Sequence, residues 1–467
     1  MNGASNAAGS SLPYSLYLRN GIDRRLARSI APFTPAARPP HAADTMASRF
    51  HDPAAARAFA ADVVRRLRTA GHEAYWAGGC VRDELLGRTP ADYDVATAAL
   101  PDQVRDLFGR RRTLAVGAAF GVITVLGPRP AGQVEVATFR IDAAYTDGRH
   151  PAGVTFCSAR EDALRRDFTI NGLFLDPESG AVHDFVGGRA DLAAGVVRAI
   201  GTPAQRFAED HLRMLRAIRF TAFFGFALDP ETRAAIDGMA HLVAGVSPER
   251  IAAELRAMAE RTGRRRALEL LAETGLAREV LPDLAPAAGA TASSAVAWAD
   301  AARIIDALDE SDLPLALAAL AEGRGDEALP ATAGRLRLSV REAKKAAWLR
   351  DTIDATGAVA AADLAARPWS AKQPLVVHEH AAALADLLRA RAACGRGDAA
   401  TAAWFTAQVG RPRTEIDPPP LVTGADLLAA GVVEGPALGA ALARVRALQL
   451  DGAVVTREQA LAAALHG

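Results

Sequence analysis

The sequence predicts a small α+β domain, a mixed sheet flanked by helices, followed by a chain that is helical to its end. Two observations predict this class. Strand-like and helix-like stretches alternate over residues 52–185, and from Gly201 onward the apolar pattern is almost wholly helical. Composition agrees. Hydrophobic residues make up 50% of the chain and aromatics only 6%, so the core is built mainly from alanine, leucine and valine. At 467 residues the chain has room for about two to four domains.

The elements follow in order. DPAAARAFAADVVRRLRTAG, from Asp52, reads as an amphipathic helix stopped by Gly71. EAYWAGG is a short strand running into a turn, CVRDELLG opens a helix, and TPADYDVAT is a strand. LPDQVRDLFG is a helix, RTLAVGAAFGVITVLG a hairpin and GQVEVATFR a further strand. Beyond them, RFAEDHLRMLRAIRFTAFFG reads as one helix. SPERIAAELRAMAE reads as another, capped by Ser247 with proline in its first turn. The break IDPPP at 416–420 sets off a short C-terminal module.

Charge and cysteine usage exclude several classes. Acidic and basic side chains number 54 each, so any polyanion site must be a local patch rather than a global field. The lysines are Lys344, Lys345 and Lys372, so nearly all positive charge is arginine, which suits phosphate and base recognition. Cys80, Cys157 and Cys394 lie far apart, in neither zinc nor disulfide spacing, as in a reducing cytoplasm. No apolar run approaches the ~18–20 residues of a membrane span. Residues 1–45 are rich in Ala, Ser and Pro and short of acids. They read as a disordered extension or a misassigned start, with Met46 as the initiator, or else as a transit peptide.

The stretch Gly78–Thr97, GGCVRDELLGRTPADYDVAT, carries the chemistry. In a strand, residues two apart point to one face, so Asp92 and Asp94 aim two carboxylates at one point. Two such anions favour a cation between them, and Mg²⁺ takes carboxylate and phosphate oxygens. Gly78 and Gly79, in a turn feeding a helix with Arg82 one turn in, can present backbone N–H groups to an anion. A phosphate cradle and a metal pair within twenty residues suggest nucleotidyl transfer. A third carboxylate would complete the site. Glu135, in VEVATFR, fills that role or is a residue of the exposed strand face.

The sequence here resembles the class II tRNA nucleotidyltransferase and bacterial poly(A) polymerase family, within the polymerase-beta-like nucleotidyltransferases. The motifs occur in family order: GGCVRDELLG with DYDVAT, RRDFTIN at Arg165–Asn171, DFVGGRADL at Asp184–Leu192, EDHLRMLRAIRF at Glu209–Phe220 and ERIAAEL at Glu249–Leu255. The resemblance implies a nucleotidyltransferase head over 52–185. A helical neck over 186–270, a helical body over 271–415 and a tail over 416–467 follow it. It also implies two Mg²⁺ ions, with Asp92 and Asp94 as metal ligands, and selection of nucleotides without a nucleic-acid template. Arg166 is similar to the family's triphosphate-binding arginine, Asp167 to its ribose reader, and Asn171 to a residue supporting either.

Asp210 and Arg213, three apart on a helix, match the family's base-reading pair. A carboxylate that accepts beside a guanidinium that donates fits the N4/N3 edge of cytosine and the N6/N1 edge of adenine. Uracil and guanine place a carbonyl where Asp210 needs a donor. Arg216 and Arg219 continue the same step, to orient Asp210 or to bind triphosphate oxygens.

The stretch Phe139–Phe156, with Arg140, Asp142, Asp147, Gly148 and Arg149, is similar to the flexible loop of members that add the terminal A. His183–Asp184 lies in the hinge motif, and His378-x-His380 in a helix-like, solvated stretch, so no phosphohydrolase activity is expected. Candidate RNA contacts are Arg261–Arg266, Arg341–Arg350, Arg389–Arg396 and Gly410–Arg413. The expected activity is addition of C, C and A to the 3′ end of tRNA from CTP and ATP, in the cytoplasm, with no membrane and no obligate protein partner. The alternatives are a poly(A) polymerase or A-adding enzyme on RNA 3′ ends, or a catalytically inactive RNA-binding relative.

Overall fold

The computed structural model of the protein describes residues 52–142, 154–287, 292–356 and 361–465. The expected extension over 1–45 lies outside these residues, as do Asp147, Gly148 and Arg149 of the expected loop.

The first helix, α1 (Pro53–Thr69), starts where Asp52 accepts the Ala54 N–H at 2.9 Å and Pro53 occupies the first turn. It leads into β1 (Ala74–Ala77), the Gly78 turn and α2 (Gly79–Leu85). Then come β2 (Asp94–Thr97), α3 (Pro101–Phe108), β3 (Thr113–Leu114), β4 (Val122–Leu126) and β5 (Gln133–Thr138). β6 (Arg140–Asp142) and β7 (Val154–Phe156) form a separate two-stranded ribbon flanking the loop segment. α4 (Ala159–Leu164), β8 (Leu173–Leu175) and β9 (Val182–Asp184) complete the domain. The main sheet runs β3-β4-β5-β2-β1-β8-β9, and β2 lies parallel to β5 while its other neighbour pairs are antiparallel.

Strand alternation divides this sheet into two chemically different faces. Trp76, Val95, Ile123, Val125, Val134 and Val136 point to one face and pack with Phe59, Val63, Val64 and Leu67 of α1 and with Val104 and Phe108 of α3. Ala77, Ala96 and Phe174 point to the other, where they meet Phe139 and the α4 residues Ala159 and Ala163. Asp94 and Glu135 are in step with Ala96 and Ala137, so they belong to this second face. The strand is shorter than TPADYDVAT predicts, because Asp92 sits in a bend ahead of the first paired residue. The alternation nevertheless holds. Tyr93 is buried, and Asp92 and Asp94 are exposed on either side of it.

The chain then becomes helical, with α5 (Gly188–Ala194), the two-residue β10 (Val196–Val197), α6 (Pro203–Glu209) and α7 (Leu212–Phe224). β11 (Ala227–Leu228) pairs in parallel with β10 and is followed by α8 (Pro230–Met239), α9 (Pro248–Glu260) and α10 (Arg264–Glu273). The single helix expected over RFAEDHLRMLRAIRFTAFFG is two, broken at Asp210. That residue is extended, with φ −150° and ψ 104°, and its Oδ1 accepts the Leu212 N–H at 3.1 Å. A short acidic side chain that bonds the backbone ahead of it competes with helix continuation. Ser247 stands at the start of α9 without a side-chain capping bond, so Pro248 alone marks that start.

Further helices run from Leu276 to Leu465, and one core continues as far as Ile416. Val422, Leu427, Ala441, Val445, Val454, Ala460 and Ala464 form a core of their own beyond the proline break. His378 and His380 lie between helices rather than within one, and His378 is half-buried. Its ring stacks on Trp348, with centroids 3.8 Å apart and planes 5° from parallel. Among the described residues no helix is long and apolar enough to cross a membrane.

Candidate active site

The acids come together through strand register. Asp94 of β2 lies directly opposite Glu135 of the parallel strand β5, so the two side chains leave the sheet side by side. Asp94 is solvent-exposed as a residue, yet its carboxyl is hemmed in by protein. Burial and the charges of Asp92 and Glu135 push it up to about 6, against the pull of Arg166. The three carboxylates therefore feel one another. Among the described residues no group of three His, Cys, Asp or Glu side chains could by itself hold a metal ion. A pair of carboxylates with one open side still fits a divalent ion that keeps waters and takes its remaining oxygens from phosphates. Beneath them the Cys80 thiol is pushed up to about 12, first by burial, and is inert.

Gly78 adopts φ +75° and ψ −125°, a conformation closed to side-chain-bearing residues, and opens α2. A Cβ there would lie 2.8 Å from Arg166 Nη1. The turn and that arginine are thus in contact. Gly79 follows as the first residue of α2, where a Cβ would meet Arg82 Nη2 at 3.6 Å. Arg166 is anchored by Asp162 of α4, accepting from Nη2 at 2.9 Å, and its guanidinium lies 5.0 Å from the Phe174 ring centroid.

A continuous chain of polar contacts runs from this turn into the helical region. Arg82 donates to Asn171 Oδ1 at 2.6 Å, and Asn171 donates to Asp167 Oδ1 at 3.1 Å. Arg216 donates to Asp167 Oδ2 from Nε at 2.9 Å and from Nη2 at 2.7 Å. Burial alone would raise the Asp167 carboxyl. The Arg216 charge and the hydrogen bonds from Asn171, Arg216 and the Phe168 N–H hold it at about 2. Glu254 of α9 closes the chain, accepting from Arg219 at 2.6 Å and lying 3.7 Å from Arg216.

Asp210 and Arg213 are near neighbours but are held by different partners. Asp210 Oδ2 accepts from Arg250 at 2.7 Å. Arg213, buried, donates to Glu209 and to the carbonyls of Arg206 and Arg165. Arg216 and Arg219, expected to orient Asp210 or to bind triphosphate oxygens, make their side-chain bonds to other acids. Those two bond Asp167 and Glu254, and Arg250 holds Asp210. In the hinge motif, Asp184 accepts the N–H groups of Val186, Gly187, Gly188 and Arg189, which ties β9 to the start of α5.

Three arginines of the expected RNA patches serve the fold. Arg264, 4% exposed, donates to the carbonyls of Ile305 and Leu308, while the buried Arg350 and Arg391 pair with Asp351 and Glu322. Others lie nearer the surface beside acids, such as Arg265 with Glu269 and Arg413 with Asp417.

Sequence reasoning missed Asp162, Glu254 and Arg250 as holders of the site arginines and of Asp210. Two had readable signals. Asp162 stands one helical turn before Arg166. Glu254 lies on the apolar stripe of α9 with Ile251, Leu255 and Met258, where a lone acid needs a cation.

The model of the poly(A) polymerase head domain matches residues 74–198, and that of the probable RNA and SrmB-binding site of polymerase A matches residues 225–288. The chain is 44% identical over 224 residues to the CCA-adding enzyme of Geobacillus stearothermophilus, covering 48% of this chain and 54% of that one. It is 44% identical over 219 residues to the CCA-adding enzyme of Bacillus subtilis, covering 47% and 54%. The chain thus spans about half the length of the curated relatives it matches. The crystal structure of Bacillus stearothermophilus CCA-adding enzyme in complex with CTP superposes with a TM-score of 0.67 at 28% identity, over 86% of this chain and 94% of that one. Thermotoga maritima CCA-adding enzyme complexed with tRNA shares the fold, with a TM-score of 0.62 at 20% identity over 87% and 94%.

Proposed function

We propose, from its likeness to class II tRNA nucleotidyltransferases and bacterial poly(A) polymerases, that the chain is a member of that family and adds C, C and A to the 3′ end of tRNA, using CTP and ATP. One observation carries the reading. Asp94 stands in register with Glu135 and feels the charges of Asp92, Glu135 and Arg166, which supports a cluster of acids beside an arginine on this sheet face.

Members of this family generally depend on a metal ion, and here the ions would be Mg²⁺, two of them, held by Asp92 and Asp94. Bound there, they supply positive charge against the triphosphate and acidify the attacking hydroxyl. The residues do the rest. Gly78 and Gly79 let the backbone approach the phosphates, and Arg82 and Arg166 set positive charge beside that turn. Glu135 completes the carboxylate set. Asp167, fixed by Asn171 and Arg216, faces the ribose, and Arg219 secures Glu254 behind it. Asp210 and Arg213, each immobilised by its own partners, present an acceptor and a donor to the base. A base whose edge leaves a buried polar group unmatched loses about 1–3 kcal/mol. The basic residues that stay near the surface, among them Arg265 and Arg413, contact RNA phosphates. The far-apart cysteines, in no disulfide spacing, suit a cytoplasmic enzyme.

Incubating the protein with tRNA lacking CCA, with CTP and ATP singly and together, tests the reading. Full extension needs both nucleotides. Incorporation of C alone or A alone refutes complete CCA addition, and a long ATP-only tail on many RNAs makes the protein a poly(A) polymerase.

A further inference from the structure

We infer that Tyr93 is a positioning residue for the two acids beside it, acting through Glu84 and Arg57. The inference rests on the reading of Asp92 and Asp94 as metal-holding carboxylates, and it adds the device that sets their direction.

The need for such a device follows from the backbone. Asp94 is the first residue of β2 and is fixed by its pairing with β5. Asp92 lies outside the ladder, in a bend, and the sheet does not hold it. Tyr93, between the two, is the one residue of the three that is buried. Tyr93 is bonded directly to both acids along the backbone, so fixing it restrains the segment from which both carboxylates emerge.

Tyr93 is fixed twice. Its ring packs on Trp76 of β1 with centroids 4.7 Å apart. Its hydroxyl donates to Glu84 Oε1 at 2.6 Å. Glu84 belongs to α2, the helix opened by the Gly78–Gly79 turn, so this bond ties the acid pair to that turn. The same carboxylate accepts from Arg57 Nε of α1 at 2.9 Å, and the Arg57 guanidinium lies 5.1 Å from the Trp76 ring centroid. Tyr93, Glu84, Arg57 and Trp76 thus close a ring of contacts drawn from α1, β1, α2 and the residue before β2. Groups that orient metal ligands without touching the metal typically change metal affinity about 10–100-fold when removed.

The test is a Mn²⁺ titration of the full chain, with free Mn²⁺ read by electron paramagnetic resonance in the presence of a non-reacting CTP analogue. Melting temperatures are measured alongside. Wild type, Asp92→Ala, Tyr93→Phe and Glu84→Gln are compared. Tyr93→Phe keeps the ring on Trp76 and removes only the hydroxyl. Its Mn²⁺ affinity should fall about tenfold. Glu84→Gln keeps an acceptor for the hydroxyl but weakens the Arg57 contact, and should fall by less. In turnover assays both variants lose kcat while KM for CTP holds. Mn²⁺ affinities within twofold of wild type for both variants, when Asp92→Ala has lost binding, overturn the inference. Wild-type binding no tighter than that of Asp92→Ala overturns the acid-pair reading instead, and the inference with it.

Discussion

Arg216 of α7 and Asp167, in the segment after α4, face each other, 49 residues apart in sequence, with the guanidinium 2.7 Å from the carboxylate. This pair joins the two halves of the polar chain that runs from the glycine turn to Glu254, so its loss should be felt in stability as well as in turnover. The Asp167 carboxyl is held at about 2, below its ordinary 3.8, so the charged form is favoured in the folded state. The resulting stabilisation, about 2 kcal/mol, is complete above the ordinary value and is lost as pH falls through the folded one. At pH 3 roughly half should remain. Urea unfolding of wild type and Asp167→Asn should therefore differ by more at pH 5 than at pH 3. An equal penalty at both values would show that the charge of Asp167 does not carry the effect.

The crowding of Asp92, Asp94 and Glu135 implies a trade between stability and activity. Three carboxylates placed together without a cation repel: the Asp94 carboxyl is raised first by burial and then by the charges of Asp92 and Glu135. Asp92→Ala should lose nucleotide incorporation by at least about 100-fold, since charge stabilisation at a transferring phosphoryl group is worth several kcal/mol. The same variant, melted in EDTA, should be as stable as wild type or more so, as expected when function holds like charges together. Glu135→Gln should behave in the same direction. A lower melting temperature in EDTA for both would contradict the repulsion.

How much of this was legible in the residues varies with the range of the interaction. The head strands followed from period-two alternation, and the exposed–buried–exposed order of Asp92, Tyr93 and Asp94 is kept although the strand is shorter. The break at Asp210 was not legible, because apolar residues on both sides keep helical spacing and a capping side chain leaves no mark on that pattern. The run Arg261–Arg266 reads as one basic patch, yet Arg264 is consumed by carbonyls 41 and 44 residues away. A charge run looks the same whether its partner is water or a distant loop. Glu254 was readable in principle from its place on a buried stripe, and its partners Arg216 and Arg219 were already in view.

Gly188 offers a steric test of the hinge motif. A Cβ there would fall 2.1 Å from the Thr169 carbonyl oxygen and 2.9 Å from Leu173 Cδ2, so α5 can press against the turn carrying Asn171 only without a side chain. Gly188→Ala should cost about 1–3 kcal/mol of stability, the range for overpacking in a closed site. It should also lower incorporation by displacing Asn171. Gly238, within α8, has open space around its Cβ position and an ordinary φ. Gly238→Ala should be neutral or stabilising by up to about 1 kcal/mol through helix propensity. Urea unfolding of the two variants checks the contrast, and equal effects would remove the packing argument.

If Asp210 and Arg213 read the base as proposed, selection should depend on a third residue. Arg250 occupies Asp210 Oδ2, and the Leu212 N–H occupies Oδ1, so the carboxylate is held at both oxygens before any base arrives. A fixed acceptor discriminates because it cannot turn away from a carbonyl, whereas a mobile one can relax. Arg250→Ala frees one oxygen and leaves Arg213 untouched, since Arg213 is held by Glu209 and by backbone carbonyls. The ratio of kcat/KM for CTP over UTP should then fall roughly tenfold, equivalent to about 1.4 kcal/mol of lost discrimination. Asp210→Ala should lower it further, because the acceptor itself is gone. The measurement is single-nucleotide addition to tRNA lacking CCA, with each triphosphate supplied alone. If Arg250→Ala slows CTP and UTP by the same factor, Arg250 supports the fold of the neck and does not aim Asp210. If Asp210→Ala leaves the ratio unchanged, the acceptor that rejects uracil lies elsewhere in the pocket.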